Sequence, residues 1–323
     1  RPPVREGDCL TRRFRYPMRL ALLAALTTGF AFADTAGAAI ISGGAGNGSA
    51  PLNNTAPAND PGFNRVGTVG TNGTGVYLGD GWVLTASHVN GKNIFVVDGV
   101  EHHIIPGTGH NLLNPDNSPT DLYLFKVALP GDSPLQGMDL LEIAMSGPTI
   151  NNVGVFIGTG LTQAQQQALT WYVVNTPDGL QWHTTDPGGQ RSIVTGFQWS
   201  DQREKRWAEM RISELNHVHD ISGATVYGFA TRFDMSNGFG NAAVYDSGSP
   251  LFLPDGQNGW VLAGIAHAVL GFENQPAQTT MHGNLTFWSD LSIYRDQILA
   301  VIPEPTTLLL LTGAVPLLFR RRN

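Results

Sequence analysis

An all-β fold is the class this sequence predicts, and two kinds of observation predict it. The 323 residues include 39 glycines and 20 prolines but only 14% charged residues, a balance that suits many short strands joined by turns over long solvent-facing helices. Local pattern agrees. Gly75–Val89 reads as a hairpin with Gly79-Asp80-Gly81 at its turn, and Asp121 opens an almost unbroken apolar run to Val127.

Taken in chain order, the first element is a predicted export signal over residues 1–39. Arg12, Arg13, Arg15 and Arg19 precede the apolar stretch Leu20–Phe32 and then small residues, with Met18 as the expected start. Cleavage is expected after Ala31-Phe32-Ala33 or within Thr35–Ala39, and the sequence does not choose between them. Either removes Cys9, leaving an exported chain without cysteine that core packing alone must hold together. Residues 40–62, rich in Gly, Asn, Ala and Pro, read as a linker or an extended arm.

In the hairpin, Val76 and Leu78 alternate with less apolar residues, and Trp82-Val83-Leu84 resumes an apolar strand. His88 follows that strand, between Thr85-Ala86-Ser87 and Val89. Rigid backbone on one side and an accessible loop on the other suit a general base, although a surface histidine reads the same way. Asp121 is expected at a core edge. Burying an unpaired charge costs several kcal/mol, so it needs a partner such as an imidazole N–H; an aspartate capping a turn is the alternative. Leu161–Thr170, rich in Gln and Ala, is expected as a short helix in a surface insertion.

Tyr245-Asp246-Ser247-Gly248-Ser249-Pro250 places a serine on a tight turn directly after a carboxylate, which suits a nucleophile and is also ordinary turn chemistry. Trp260–His267 follows as an apolar strand ending in histidine. The chain closes with Pro303-Glu304-Pro305, the apolar run Thr306–Phe319 and three arginines. That run spans about 21 Å as a helix against a hydrocarbon core of about 30 Å, a poor permanent anchor.

Thr85-Ala86-Ser87-His88-Val89, Asp121–Val127 and the Tyr245–Pro250 loop resemble, in that order, the three boxes of the trypsin/chymotrypsin-like serine peptidases. Three ordered boxes are far more specific than one, and the resemblance covers about Phe63 to Leu299. It implies two antiparallel Greek-key β-barrels, residues 63–147 and 148–299, with the active site in the cleft between them. It also implies acyl transfer on protein or peptide substrates: Ser247 as nucleophile, His88 as base and Asp121 as its orienting partner.

The oxyanion donors carried over are the N–H groups of Ser247 and Tyr245. Tyr245 departs from the family's glycine; if the donor geometry needs positive φ, the residue is strained there, and the expectation is a slow, substrate-gated or inactive member. Ile40-Ile41-Ser42-Gly43-Gly44 resembles the family's activating N-terminus, which implies that a freed Ile40 amine pairs with Asp246. The rival is an arm without that role and an internally stabilised Asp246. His267, by its likeness to the histidine of glutamyl endopeptidases, is a candidate pocket residue for acidic side chains, or a structural histidine. The terminal segment resembles the PEP-CTERM sorting signal of Gram-negative bacteria. That implies signal peptidase and an exosortase-type sorting enzyme as partners, transient inner-membrane association, and a final place at the cell surface or in the extracellular matrix.

The net charge of −7 and the lack of a clustered basic stripe argue against nucleic-acid binding. His102-His103 and His217-Val218-His219-Asp220 match no common zinc spacing and are expected in exposed loops; no metal or cofactor is indicated, and Asn114–Asn117 does not by itself make a calcium loop. Three function classes remain: a serine endopeptidase, a serine esterase, and a weak or inactive protease-fold binding protein.

Overall fold

The computed structural model describes residues 39–44, 48–221 and 223–302. The predicted export signal with Cys9 and the sorting tail from Pro303 onward lie outside the described residues. Among the described residues no helix is long and apolar enough to cross a membrane.

A two-residue strand, β1 (Ile40–Ile41), precedes seven more: β2 (Val66–Val69), β3 (Gly73–Gly79), β4 (Trp82–Ala86), β5 (Ile94–Val97), β6 (Val100–His103), β7 (His110–Leu113) and β8 (Pro119–Lys126). β2 to β8 form one antiparallel sheet in the order β6-β5-β2-β3-β4-β8-β7. Its tight hairpins turn at Asp80-Gly81 and Asp98-Gly99, where both residues have positive φ, as a two-residue turn between twisted strands requires. The sheet curls on itself. Ala128 N–H bonds the His103 carbonyl at 2.9 Å and Ile105 N–H the Lys126 carbonyl at 2.8 Å, bringing the end of β6 onto the end of β8.

The second half contains β9 (Val153–Gly158), β10 (Leu161–Gln163), β11 (Leu169–Thr176), β12 (Gly179–His183), β13 (Ser192–Arg203), β14 (Arg206–Ile221), β15 (Ala224–Arg232), β16 (Gly240–Asn241), β17 (Pro250–Pro254), β18 (Trp260–Leu270), β19 (Thr279–Met281), β20 (Leu285–Asp290) and α1 (Leu291–Val301). Six of these close a barrel in the order β14-β15-β20-β18-β17-β9. The remainder include a side sheet, β10-β13-β11-β12, with β19 on β13. The molecule is thus an all-β, two-barrel fold. One apolar core runs through both halves, from Val66, Leu84 and Leu124 to Ile157, Leu262 and Ile265, and is sealed by Leu291, Tyr294 and Ile298 of α1.

Three expectations are corrected. Leu161–Thr170 is not a helix: β10 and the start of β11 flank a bend, because Gln163 turns inward and clasps the backbone of Ile41 (3.2 and 3.1 Å). The arm is not merely a linker, since Ile40 and Ile41 pair with Asn241 and Gly240 and are fully buried. Nor do His102, His103, His217 and His219 lie in loops: they stand on strands, with His103 exposed as expected. His102 is buried on β6 against Ser133 (2.7 Å), and His217 and His219 share a face of β14.

Candidate active site

β4 and β8 are neighbours in the first sheet, with Ala86 opposite Leu122. That pairing carries His88, in the turn after β4, alongside Asp121 near the start of β8. Lys92 ties the histidine turn down by donating to the carbonyls of Ser87 (2.7 Å) and Val89 (2.6 Å). Ser247 arrives from the other half, on the turn between β16 and β17. Gly248 N–H bonds the Ala266 carbonyl (2.9 Å), and the Ser247 carbonyl accepts from Thr74 N–H (2.8 Å), so each half grips the loop. Gly248 has φ 90°, and a Cβ there would collide with the Thr74 carbonyl oxygen, so only glycine fits this crossing.

The structure brings the three side chains together. His88 Nδ1 lies 2.6 Å from Asp121 Oδ2, and His88 Nε2 lies 2.7 Å from Ser247 Oγ. The carboxylate also accepts the His88 backbone N–H at 2.8 Å through Oδ1. With Nδ1–H donated to Asp121, Nε2 carries the lone pair that faces the serine hydroxyl. This is the arrangement a base needs to take the Ser247 proton.

His267, for which the sequence left a pocket role and a structural role open, is a fourth member of the group. His267 Nδ1 lies 2.8 Å from the same Asp121 Oδ2, and its side chain is fully buried. The His267 side chain is therefore turned onto Asp121 and not toward substrate, which corrects the pocket role to the structural one. His267 stands at a bulge of β18 between Ala266 and Ala268, which turns its ring onto Asp121, and its Nε2, without a partner among the described residues, is buried. The ring borders a small cavity of about 10 Å³ with His217, His219 and Phe287. Burial opposes charge on Asp121, but the hydrogen bonds from His267 and His88 outweigh it and hold the carboxyl well below its ordinary range. Among the described residues the one converging set of three metal-type ligands is His88, Asp121 and His267; both imidazoles face the carboxylate with a donor N–H, so hydrogen bonding already accounts for it.

Asp246 is buried as well, but it does not meet Ile40. Its Oδ1 accepts Gly160 N–H and its Oδ2 Ala243 N–H, each at 2.8 Å, while Ile40 is held in β1 against Asn241. The paired amine is corrected to this internal set of donors. Burial pushes the Asp246 carboxyl up to about 7, against the pull of the Ala243 and Gly160 N–H groups and the nearby Arg203 charge.

Tyr245 adopts φ 75°, a conformation that costs a non-glycine residue about 1–2 kcal/mol. Among the described residues neither Tyr245 N–H nor Ser247 N–H donates a hydrogen bond. Both residues border a cleft of about 260 Å³ lined by Ala242, Ala243, Val244, Ala266, Ala268 and Val269 and also by Asn72, His88, Asp246 and His267.

No protein-family model matches the chain, and no curated protein matches it. Solved structures do. Human heparin binding protein is 15% identical, with 80% of this chain and 97% of that chain covered and a TM-score of 0.43. Neuropsin, a serine protease expressed in the limbic system of mouse brain, is 19% identical over 71% of this chain and 88% of its own, with a TM-score of 0.40. A murine norovirus NS6 protease is 15% identical over 71% and 93%, with a TM-score of 0.37.

Proposed function

We propose that this chain is a serine endopeptidase that hydrolyses peptide bonds through an acyl-enzyme. One observation carries the reading: a serine, an imidazole and a buried carboxylate, from both halves of the fold, form a continuous hydrogen-bonded line with distances of 2.7 and 2.6 Å. Ser247 Oγ attacks the substrate carbonyl carbon as His88 Nε2 takes its proton. The developing oxyanion is received by the uncommitted N–H groups of Tyr245 and Ser247. His88 then protonates the leaving amine, and water repeats the cycle on the ester to release the acid.

The alanine and valine walls of the cleft favour an uncharged, apolar side chain next to the scissile bond. Asp246 is turned away into its own donors, and His267 faces Asp121. Export through the N-terminal signal, followed by exosortase-type sorting to the cell surface or matrix, is proposed on the two terminal sequence patterns alone.

The test is covalent labelling by a fluorophosphonate probe, with cleavage of a peptide panel, by wild type and by Ser247→Ala. Labelling and cleavage that both require Ser247, with apolar peptides preferred, are the expected result. Ester turnover without peptide cleavage would move the assignment to an esterase. A folded protein that does neither would be a protease-fold scaffold.

A further inference from the structure

An aromatic residue at positive φ beside the nucleophile needs something to keep it there, and the structure grips Tyr245 from three sides. The carbonyl of Val244 accepts Leu161 N–H at 2.9 Å. In a trans peptide the N–H points opposite its C=O, so this bond sends Tyr245 N–H away from Leu161. The carbonyl of Tyr245 accepts Thr74 Oγ1–H at 3.0 Å, while Thr74 Oγ1 lies 2.6 Å from Thr159 Oγ1, which completes its pairing. The ring itself lies under Arg203, whose guanidinium carbon is 4.9 Å from the ring centroid.

Arg203 is in turn fixed. Its Nε donates to the Thr159 carbonyl at 2.9 Å, Nη1 to the Thr71 carbonyl at 3.0 Å, and Nη2 to the Gly73 carbonyl at 3.3 Å. Those acceptors come from both halves of the molecule, so the guanidinium plane is set by the frame and not by the loop it covers. A planar fork held at its edge presents its face to an aromatic ring, which a lysine ammonium does not reproduce.

We propose that Arg203 is a positioning residue: it clamps the Tyr245 ring so that the backbone keeps positive φ and Tyr245 N–H stays available beside Ser247 N–H as an oxyanion donor. The assignment rests on the acyl-transfer reading of the site. Without the clamp, Tyr245 relaxes toward negative φ, the Val244–Tyr245 peptide turns over, and a carbonyl replaces the donor. Glycine at the same position populates positive φ unaided and has no need of the arginine.

A double-mutant cycle separates this from simple bracing of the two halves. Arg203→Ala and Arg203→Lys are each expected to lower kcat by up to about 100- to 1,000-fold, the loss of one oxyanion donor, with KM within about threefold of wild type. In the Tyr245→Gly background the same Arg203 substitutions are expected to cost less than about threefold. Thermal melts of all variants run alongside. Equal losses in both backgrounds would assign Arg203 to bracing and overturn the clamp while leaving the peptidase reading intact. Absence of Ser247-dependent turnover by wild type would overturn that reading and the clamp with it.

Discussion

Asp121 accepts two imidazole N–H groups and one backbone N–H within the core, so its charge is held by donors that burial alone would not supply. Its lowered pKa has a defined sign in the stability of the fold. The stabilisation is full above the unfolded carboxylate value of about 3.9 and is lost as pH falls through the folded value. Removing the His267 donor raises the folded value and narrows that window from below. His267→Leu is therefore expected to move the acid-unfolding midpoint to higher pH and to cost about 1–3 kcal/mol at neutral pH. His267→Asn, which retains an N–H, should recover part of both, and kcat should follow the same order. An acid midpoint for His267→Leu identical to wild type would show that His88 alone sustains the charge.

The elements divide by how locally they are encoded. The turn after β4, the start of β8 and the Tyr245–Pro250 loop were legible because each carries its own signals: a strand, a turn and a polar residue where they meet. Their convergence follows from β4 pairing with β8 and from Thr74 gripping the Ser247 loop. His267 was less legible, since it stands at a bulge of β18 between Ala266 and Ala268, where one extra residue breaks the alternation by which a strand's faces are read. The helix α1 carried a signal in Asp290, whose side chain caps Ser292 N–H at 3.0 Å, but that residue also ends an apolar strand and reads equally as its edge. β1 was the hardest. Its Gly- and Asn-rich surroundings resemble a linker, and only pairing with β16, some two hundred residues away in sequence, buries Ile40 and Ile41. That burial places both isoleucines in the core. Ile41→Ala should cost about 2–5 kcal/mol, measured by denaturant titration, whereas a change below about 0.5 kcal/mol, the usual size of a surface substitution, would return β1 to the status of a loose arm.

Across the whole molecule the two halves share a core and are strapped together by α1. Gln297 holds both backbone groups of Leu113 (3.0 and 2.7 Å). Tyr294 donates to Asn114 Oδ1 at 2.8 Å and accepts from Thr120 Oγ1 at 3.2 Å, both in the first half, and lies 3.4 Å from Tyr227 N in the second. Burial raises the Tyr294 pKa, which keeps the hydroxyl a donor throughout the neutral range. Because Ser247 and His88 come from different halves, the reactive line exists only while the halves stay docked. The fold should accordingly unfold in one transition, with the fluorescence of Trp82 in β4 and Trp288 in β20 changing together. Tyr294→Phe leaves Asn114 Oδ1 without its hydroxyl donor, and should lower stability by about 1–3 kcal/mol while keeping the transition single. Deleting α1 goes further: it opens the shared core at Leu291, Tyr294 and Ile298, and activity should disappear before secondary structure does. Two separate transitions in the intact chain would mean that the halves fold independently and that docking, not folding, sets the geometry of the site.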